Sequence, residues 1–494
     1  MAQHKRSLMM AKYDYDIIVI GGGAAGLTVT AGAAQLGVKV LLVESGHALG
    51  GDCLHYGCVP SKTLLRTAGV RHLMRHAARY GLPDAQLPPV DFAQVAQRIS
   101  EVQAVIQQHD SVERFTALGA EVLFGAASFA DDHTVEIRSD DSVVRATGAK
   151  IVIATGSGAS VPPLEGLKES GYLTNREIFS LPVLPASLIV LGGGPVALEM
   201  AQAFRRLGTE VTVVQRSGQL LSNEDADMAD IVRLRLESEG GRVLTRTEIQ
   251  SVRRGADGVQ VRLVHEGSEK LLSAAELLVA LGRAPHVSGL TLENAGVVYS
   301  ARGVGVDARM RTNVPHIYAA GDVTGRYLFT HAAGYEGGII IANAVFRLPK
   351  KADYTNMPWC TFTDPELASV GLNERRAQAA GVDYTVRTEL FSGNDRALAE
   401  GAPEGRIKML LDPREKVLGV QICGAGAGEI INQWVAVQAG KVSLSRIAGA
   451  VYPYPTLGEI SKRVAGNVMA DKLFSGKVQS ALCFLFRHQG KACS

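Results

Sequence analysis

The chain has 494 residues, enough for about three domains of ordinary size. Hydrophobic residues make up 46% and charged residues 20%, ordinary values for a globular protein with large cores. A formal net charge of +2 gives no electrostatic case for a nucleic-acid partner.

The N-terminal stretch MAQHKRSLMMAKYDYD has basic residues but no apolar run long enough for a secretory signal, and no run approaches a membrane span. Near the C-terminus, ALCFLF is far too short to cross a bilayer and is suited instead to lie on a surface or pack on a partner. Six cysteines in a chain of this length are not a disulfide scaffold, so a cytoplasmic protein is expected.

The first clear element is YDIIVIGGGAAGLTVTAGAAQLGVKVLLVES, which reads as a buried strand over 17–20, glycines, a small-residue helix and a second strand ending at Glu44. Gly21, Gly23 and Gly26 supply GxGxxG in strand–turn–helix context: a tight turn, room for a pyrophosphate, and close helix–sheet packing. Glu44 stands eighteen residues after Gly26, where a carboxylate accepts hydrogen bonds from a ribose diol. The competing reading is a Gly-rich turn without a ligand.

Directly afterwards comes GGDCLHYGCVPSKTLLR, with four residues between Cys53 and Cys58 and a helix predicted to begin near Pro60 to Lys62. A bridge between cysteines this close demands a distorted helical start, which eases its reduction, and a thiolate near a helix N-terminus is stabilised. Two other readings stand at this point: inert core thiols, or half of a zinc site, although structural zinc needs four ligands and Cys360, Cys423, Cys483 and Cys493 are scattered singly.

KIVIATGSGASVPP, containing Thr155 and Gly156, reads as a strand ending in a Gly-rich turn suited to a crossing between domains. The βαβ unit then recurs at SLIVLGGGPVALEMAQAFRRLGTEVTVVQRSG, with Gly192, Gly194 and Ala197 in the three glycine positions. Gln215 replaces the ribose-binding acid and Arg216 follows it, which removes repulsion toward a 2′-phosphate and offers it a guanidinium. That pattern favours NADPH; the alternative is a solvated surface arginine. NVPHIYAAGDVTG delivers Gly321 and Asp322 to a loop, where the acid either binds a polyol chain or caps a helix. A helix is predicted from near His331, with first-turn amides favourable to an anion. From about residue 353 the texture becomes that of an α+β domain without a glycine fingerprint.

Together these motifs resemble the FAD-dependent pyridine nucleotide–disulfide oxidoreductases, the family of dihydrolipoamide dehydrogenase, glutathione reductase and mercuric reductase, from Asp16 to about Val468. The resemblance implies an α/β chain with two Rossmann-like domains and a C-terminal α+β dimerisation domain. Its segments are FAD domain 1–157, NAD(P) domain 158–287, a returning FAD segment 288–352, and dimerisation domain and tail 353–494. It also implies a homodimer.

By the same resemblance Cys58 is the flavin-contacting thiolate, Cys53 the interchange thiol, and Lys62 with Glu199 an ion pair beside flavin N5. Gly51, Asp52, Lys62, Thr155, Gly156, Gly321, Asp322 and Ala332 join the FAD site, and Gly282 joins the NAD(P) site. The C-terminal segment departs from the usual His–Glu dyad: VYPYPTLGEISKR keeps Glu459 but has Tyr454 where the histidine stands. Tyrosine is a poor base at neutral pH, whereas a soft metal ion binds thiolate without one. Mercuric reductase shares the tyrosine and the NADPH preference, so a similar enzyme is expected, acting on a metal ion or small disulfide. Cys53 and Cys58, with Cys483 and Cys493, are the soft-metal candidates, though this chain lacks that enzyme's adjacent C-terminal cysteine pair. The other readings are a dihydrolipoamide dehydrogenase-like enzyme serving a lipoyl carrier, and a redox flavoprotein docking a membrane or carrier through its tail.

Overall fold

The computed structural model describes residues 13–140, 142–487 and 490; the basic stretch ahead of Tyr13, and Cys493, lie outside the described residues. The chain divides into two compact units. The first takes residues up to Thr67, Val90–Pro185 and Leu277–Asp353; the second takes Ala68–Pro89, Ala186–Glu276 and Tyr354 onward.

In the first unit, strand β1 (Tyr15–Ile20) leads into helix α1 (Ala24–Gln35) and strand β2 (Val40–Glu44). Ile17, Ile18, Val19, Leu41 and Leu42 are almost fully buried on both faces, as a parallel strand sandwiched between layers requires. The sheet runs Ala120–Phe124, β2, β1 and Val143–Ile153 in parallel, and Ile317–Ala319 adds in parallel to Val143–Ile153. The start of that eleven-residue strand pairs antiparallel with Thr134–Arg138, which pairs in turn with Ala126–Phe129. Small residues let α1 lie close on the helix Thr330–Ala344: a Cβ on Gly32 would sit 2.4 Å from Ile341, and one on Gly337 3.0 Å from Thr28. Two further helices follow β2, the short α2 (Gly51–His55) and the eighteen-residue α3 (Cys58–Arg75), the last turns of α3 grouping with the second unit.

The second unit contains the repeated βαβ element, with Ser187–Leu191, Glu210–Val214 and Arg242–Leu244 parallel and the helix Pro195–Leu207 after the first of them. A three-stranded antiparallel sheet follows over Thr247–Ala274. Its C-terminal part is a five-stranded antiparallel sheet, ordered Pro358–Thr361, Glu366–Gly371, Val417–Gly424, Arg406–Leu411 and Thr385–Leu390. The helices Ala427–Ala439 and Glu459–Leu473 contribute Trp434, Ile460 and Val464 to its apolar core. No helix among the described residues is long and apolar enough to cross a membrane.

Two buried polar nodes tie the βαβ part of this unit to that sheet. Glu224 is 4% exposed and accepts hydrogen bonds from Trp359 Nε1, Ser369 Oγ (2.7 Å) and Gln421 Nε2 (2.6 Å). Lys408, equally buried, binds Asp225 at 3.0 Å, Asp227 at 2.8 Å, and Glu374. Replacing Glu224 by alanine strands buried donors at about 1–3 kcal/mol each, so the thermal unfolding midpoint is expected to fall clearly. Glu224→Gln keeps an acceptor and should lose less; equal melting curves for alanine and wild type would contradict this role.

Candidate active site

The two glycine loops are built alike. Gly21 has φ +112, and a Cβ there would lie 2.3 Å from the Ala154 carbonyl oxygen. A Cβ on Gly26 would lie 1.8 Å from Gly21 O, so neither position admits a side chain. Gly23 instead faces open space, its nearest neighbour at the Cβ position being Gly51 Cα at 3.8 Å. Glu44 ends β2 half-buried, accepting the Gly22 N–H on one carboxylate oxygen and the Gly46 N–H on the other, both at 2.6 Å. Each oxygen retains a second lone pair for a ribose hydroxyl.

In the second unit Gly192 has φ +118, a Cβ on Gly194 would meet nothing within 4 Å, and Ala197 is fully buried. The Cβ position of Gly193 abuts Gln215 as that of Gly22 abuts Glu44, both at 3.0 Å. Gln215 donates to Ser217 Oγ at 2.8 Å, and Arg216 is exposed. A second guanidinium lies at the same turn: the Arg246 backbone N–H donates to Ser217 O at 3.0 Å, and its side-chain Nε is 3.0 Å from the Cβ position of Gly218. Gly282 belongs to the first unit, where its carbonyl accepts the Ser160 N–H at 2.9 Å.

Cys53 lies in α2 and Cys58 opens α3. The helix therefore starts two residues before Pro60, which occupies a first-turn position where its missing N–H leaves no intrahelical bond unmade. Both residues are free thiols, Cys53 half-buried and Cys58 exposed, and their side chains hydrogen-bond to each other. Cys58 Sγ is also 3.4 Å from Thr330 Oγ1, at the start of the helix Thr330–Ala344. The bond to Cys58, and then burial, hold the Cys53 thiol far above the usual thiol range. One negative charge shared by the pair thus rests on Cys58, where the α3 N-terminus favours it. Among the described residues, the groups able to hold a metal are Asp132–His133–His316 and Asp225–Asp227–Glu374; neither contains a cysteine, and Lys408 binds all three acids of the second.

The strand Ile317–Ala319 delivers Gly321 and Asp322 to a short 3-10 turn. Fully buried Glu336 accepts the Gly321 N–H at 2.6 Å and so locks the turn to the helix that carries buried Ala332. Among the described residues Asp322 caps no helix. It accepts from Ser157 Oγ at 2.5 Å and lies 3.5 Å from Arg283 Nε, and burial is the leading cause of its raised pKa. Arg283 also reaches Asp52 at 2.8 Å, and Asn175 donates to Asp52 at 3.2 Å. Thr155 Oγ1 donates to the His286 carbonyl at 2.7 Å, and the Gly156 carbonyl accepts the His286 N–H at 2.9 Å. Sequence reasoning missed Arg283 and Glu336; the arginine was signalled only by its place after Gly282 in the stretch LGRAP.

Lys62, half-buried in α3, donates to Ser61 Oγ at 3.3 Å. Glu199, 4% exposed in the second unit, accepts the Phe362 N–H at 2.9 Å. Tyr454 is 71% exposed and donates to Asp395 Oδ2 at 2.8 Å, the bond that raises its pKa. At neutral pH it is therefore a phenol that gives a hydrogen bond rather than a base. Glu459 opens the helix Glu459–Leu473 and accepts the Thr456 N–H at 3.3 Å. Cys483, in the helix Gly476–Phe486, is disulfide-bonded and so offers no thiolate to a soft metal in this form; Cys493 lies outside the described residues. Phe484, Leu485 and Phe486 of that helix are exposed.

The open glycine cradle, the acid ending β2, and Asp322 beside the 330–344 helix together fit FAD. A pyridine nucleotide–disulphide oxidoreductase family model matches residues 15–337, and the dimerisation-domain model of the same family matches 357–465. The mercuric reductase of Streptomyces lividans is 35% identical over 471 residues, covering 94% of this chain and 98% of that protein. The dihydrolipoyl dehydrogenase of Bacillus subtilis is 33% identical over 450 residues, with 90% and 96% covered. A Cu(II) complex of the HOCl-induced flavoprotein disulfide reductase RclA from Escherichia coli superposes with TM-score 0.83 at 27% identity, covering 93% of this chain and all of that one. With the two family models covering both its glycine loops and its C-terminal sheet, this chain belongs to the pyridine nucleotide–disulphide oxidoreductase family.

Proposed function

We propose that the protein is an NADPH-dependent FAD enzyme that passes electrons through Cys53 and Cys58 to a soft metal ion or a small disulfide, working as a homodimer in the cytoplasm. The observation that carries this reading is the hydrogen-bonded thiol pair, whose exposed member Cys58 also meets Thr330 at a helix start. When bound, FAD supplies two-electron transfer between nicotinamide and dithiol. Gly21, Gly23, Gly26 and Glu44 hold its adenosine and pyrophosphate, Asp322 its ribityl chain, and Lys62 the environment of N5. Gly192, Gly194, Ala197 and Arg216 hold the nicotinamide cofactor.

Cys53 keeps its proton while Cys58 carries the charge. Discharge of the pair removes two electrons and the single proton on Cys53 and leaves a disulfide; a metal ion such as Hg²⁺ takes both electrons and the proton passes to solvent. Soft thiolates suit that substrate. Tyr454 supports the same choice, because its hydroxyl is committed to Asp395 and cannot accept the proton that thiol exchange releases.

The test is an anaerobic NADPH-oxidation screen across Hg²⁺, lipoamide, glutathione disulfide and quinones, with wild type and Cys53→Ala. Dithiol-dependent turnover greatest with Hg²⁺ or a small disulfide is expected. Turnover insensitive to Cys53→Ala sinks the proposal, and efficient dihydrolipoamide oxidation with NAD would assign the protein to the lipoyl-specific branch. Tyr454→Phe should change the metal-dependent rate by no more than a few-fold, since the tyrosine acts here as a donor and not as a base.

A further inference from the structure

A cavity of about 510 Å³ lies within the second unit and is lined by none of the site residues named above. One wall is the end of α3 and the turn beyond it, bearing His72, Arg75, His76 and Arg79. The facing walls are Arg205 and Arg206, from the end of the helix Pro195–Leu207, and Arg235 with Glu239. Five arginines against one glutamate leave the lining at +4 with the histidines neutral (5 − 1).

Part of this charge is structural. Arg206, with a side chain 5% exposed, is clasped by Glu239 at 2.5 and 2.9 Å and by Asp364 at 2.8 Å. Arg235 reaches Glu404 at 3.1 Å, but its buried Nε has no hydrogen-bond partner, the nearest carboxylate oxygen being 3.8 Å away on Glu239. Arg205 spends its donors on the carbonyls of Glu239 and Thr209, not on a carboxylate. Arg75 and Arg79 are exposed, and their guanidinium groups form no hydrogen bond or ion pair among the described residues. Attraction to the helix C-terminus at Gly208 accounts for Arg75, whose Nη2 lies 4.0 Å from the Cβ position there, but not for Arg79. His72 is driven down to a pKa of about 4, by burial first and then by Arg206 and His76.

We infer that this cavity binds a small polyanion carrying two or more phosphate groups. Three arginines without a carboxylate partner, Arg75, Arg79 and Arg205, match a di- or triphosphate better than a single phosphate, and guanidinium forks match phosphate oxygens. The volume also exceeds what one phosphate fills. The site is distinct from the nicotinamide cofactor's. That glycine loop caps the N-terminus of the thirteen-residue helix Pro195–Leu207, and the cavity lies at its other end, about 20 Å along the axis.

The test is calorimetric titration of the FAD-loaded protein, its dinucleotide site saturated with NADP⁺, at about 0.15 M ionic strength. Tripolyphosphate should bind once with micromolar affinity, and inorganic phosphate at least tenfold more weakly. The double variant Arg75→Ser/Arg79→Ser should bind tripolyphosphate at least tenfold more weakly while its NADPH-oxidation rate stays unchanged. ATP in a parallel titration separates the sources: tighter than tripolyphosphate identifies a nucleotide, equal or weaker an inorganic polyphosphate, and both support the site. Absence of saturable tripolyphosphate binding to wild type, inorganic phosphate binding equally well, or a double variant within twofold of wild type overturns it.

Discussion

Cys58→Ser is expected to abolish the long-wavelength absorbance that appears when NADPH reduces the protein anaerobically by two electrons, and to lower acceptor turnover by about 10³-fold or more. The physical reason lies in how the pair shares its charge. Cys53 is held protonated by its bond to Cys58 and by burial, so the thiolate that can donate charge to a neighbouring ring is that of Cys58. Serine at position 58 has no accessible anion at neutral pH and forms no disulfide. Cys53→Ser should give the opposite spectrum, leaving a lone Cys58 thiolate whose band needs no prior reduction, while turnover falls as severely. A band surviving in Cys58→Ser and lost in Cys53→Ser would exchange the two roles.

The second large effect concerns the choice of nicotinamide. Gln215→Glu combined with Arg216→Ala should lower kcat/KM for NADPH by about 10–100-fold while sparing or improving that for NADH. A hydrogen bond to a charged group is worth about 1.5–3 kcal/mol, and the new carboxylate would repel a 2′-phosphate. Arg246, whose backbone is anchored to Ser217 and whose Nε lies beside the Cβ position of Gly218, offers a second cation, so Arg246→Ala should reduce the same ratio by a smaller factor. Steady-state kinetics with both cofactors check this. A ratio unmoved by either change would remove the turn from the determinants of specificity.

What the sequence disclosed follows the range of the forces involved. Gly21 and Gly26 are legible because a Cβ at either would collide with neighbouring backbone, so the pattern carries its own geometry. Cys53 and Cys58 are legible because spacing and helix start are local, although the helix begins at Cys58 rather than near Pro60. Arg283 was not, since its meaning comes from Asp52 and Asp322, far away along the chain. The basic cavity was hidden for the same reason: its arginines come from three separate segments, each ordinary when read alone.

Glu224 and Lys408 also bear on how this gene can be recombined. The two family models part between residues 337 and 357, which invites exchange of the C-terminal module among relatives. Yet the acceptor for Trp359, Ser369 and Gln421, and two of the three carboxylates around Lys408, lie upstream of that junction. A chimera joined there inherits a buried lysine and several indole, hydroxyl and amide donors whose counterparts come from another ancestor. Successful grafts will have to carry positions 224, 225 and 227 along with the transplanted sheet.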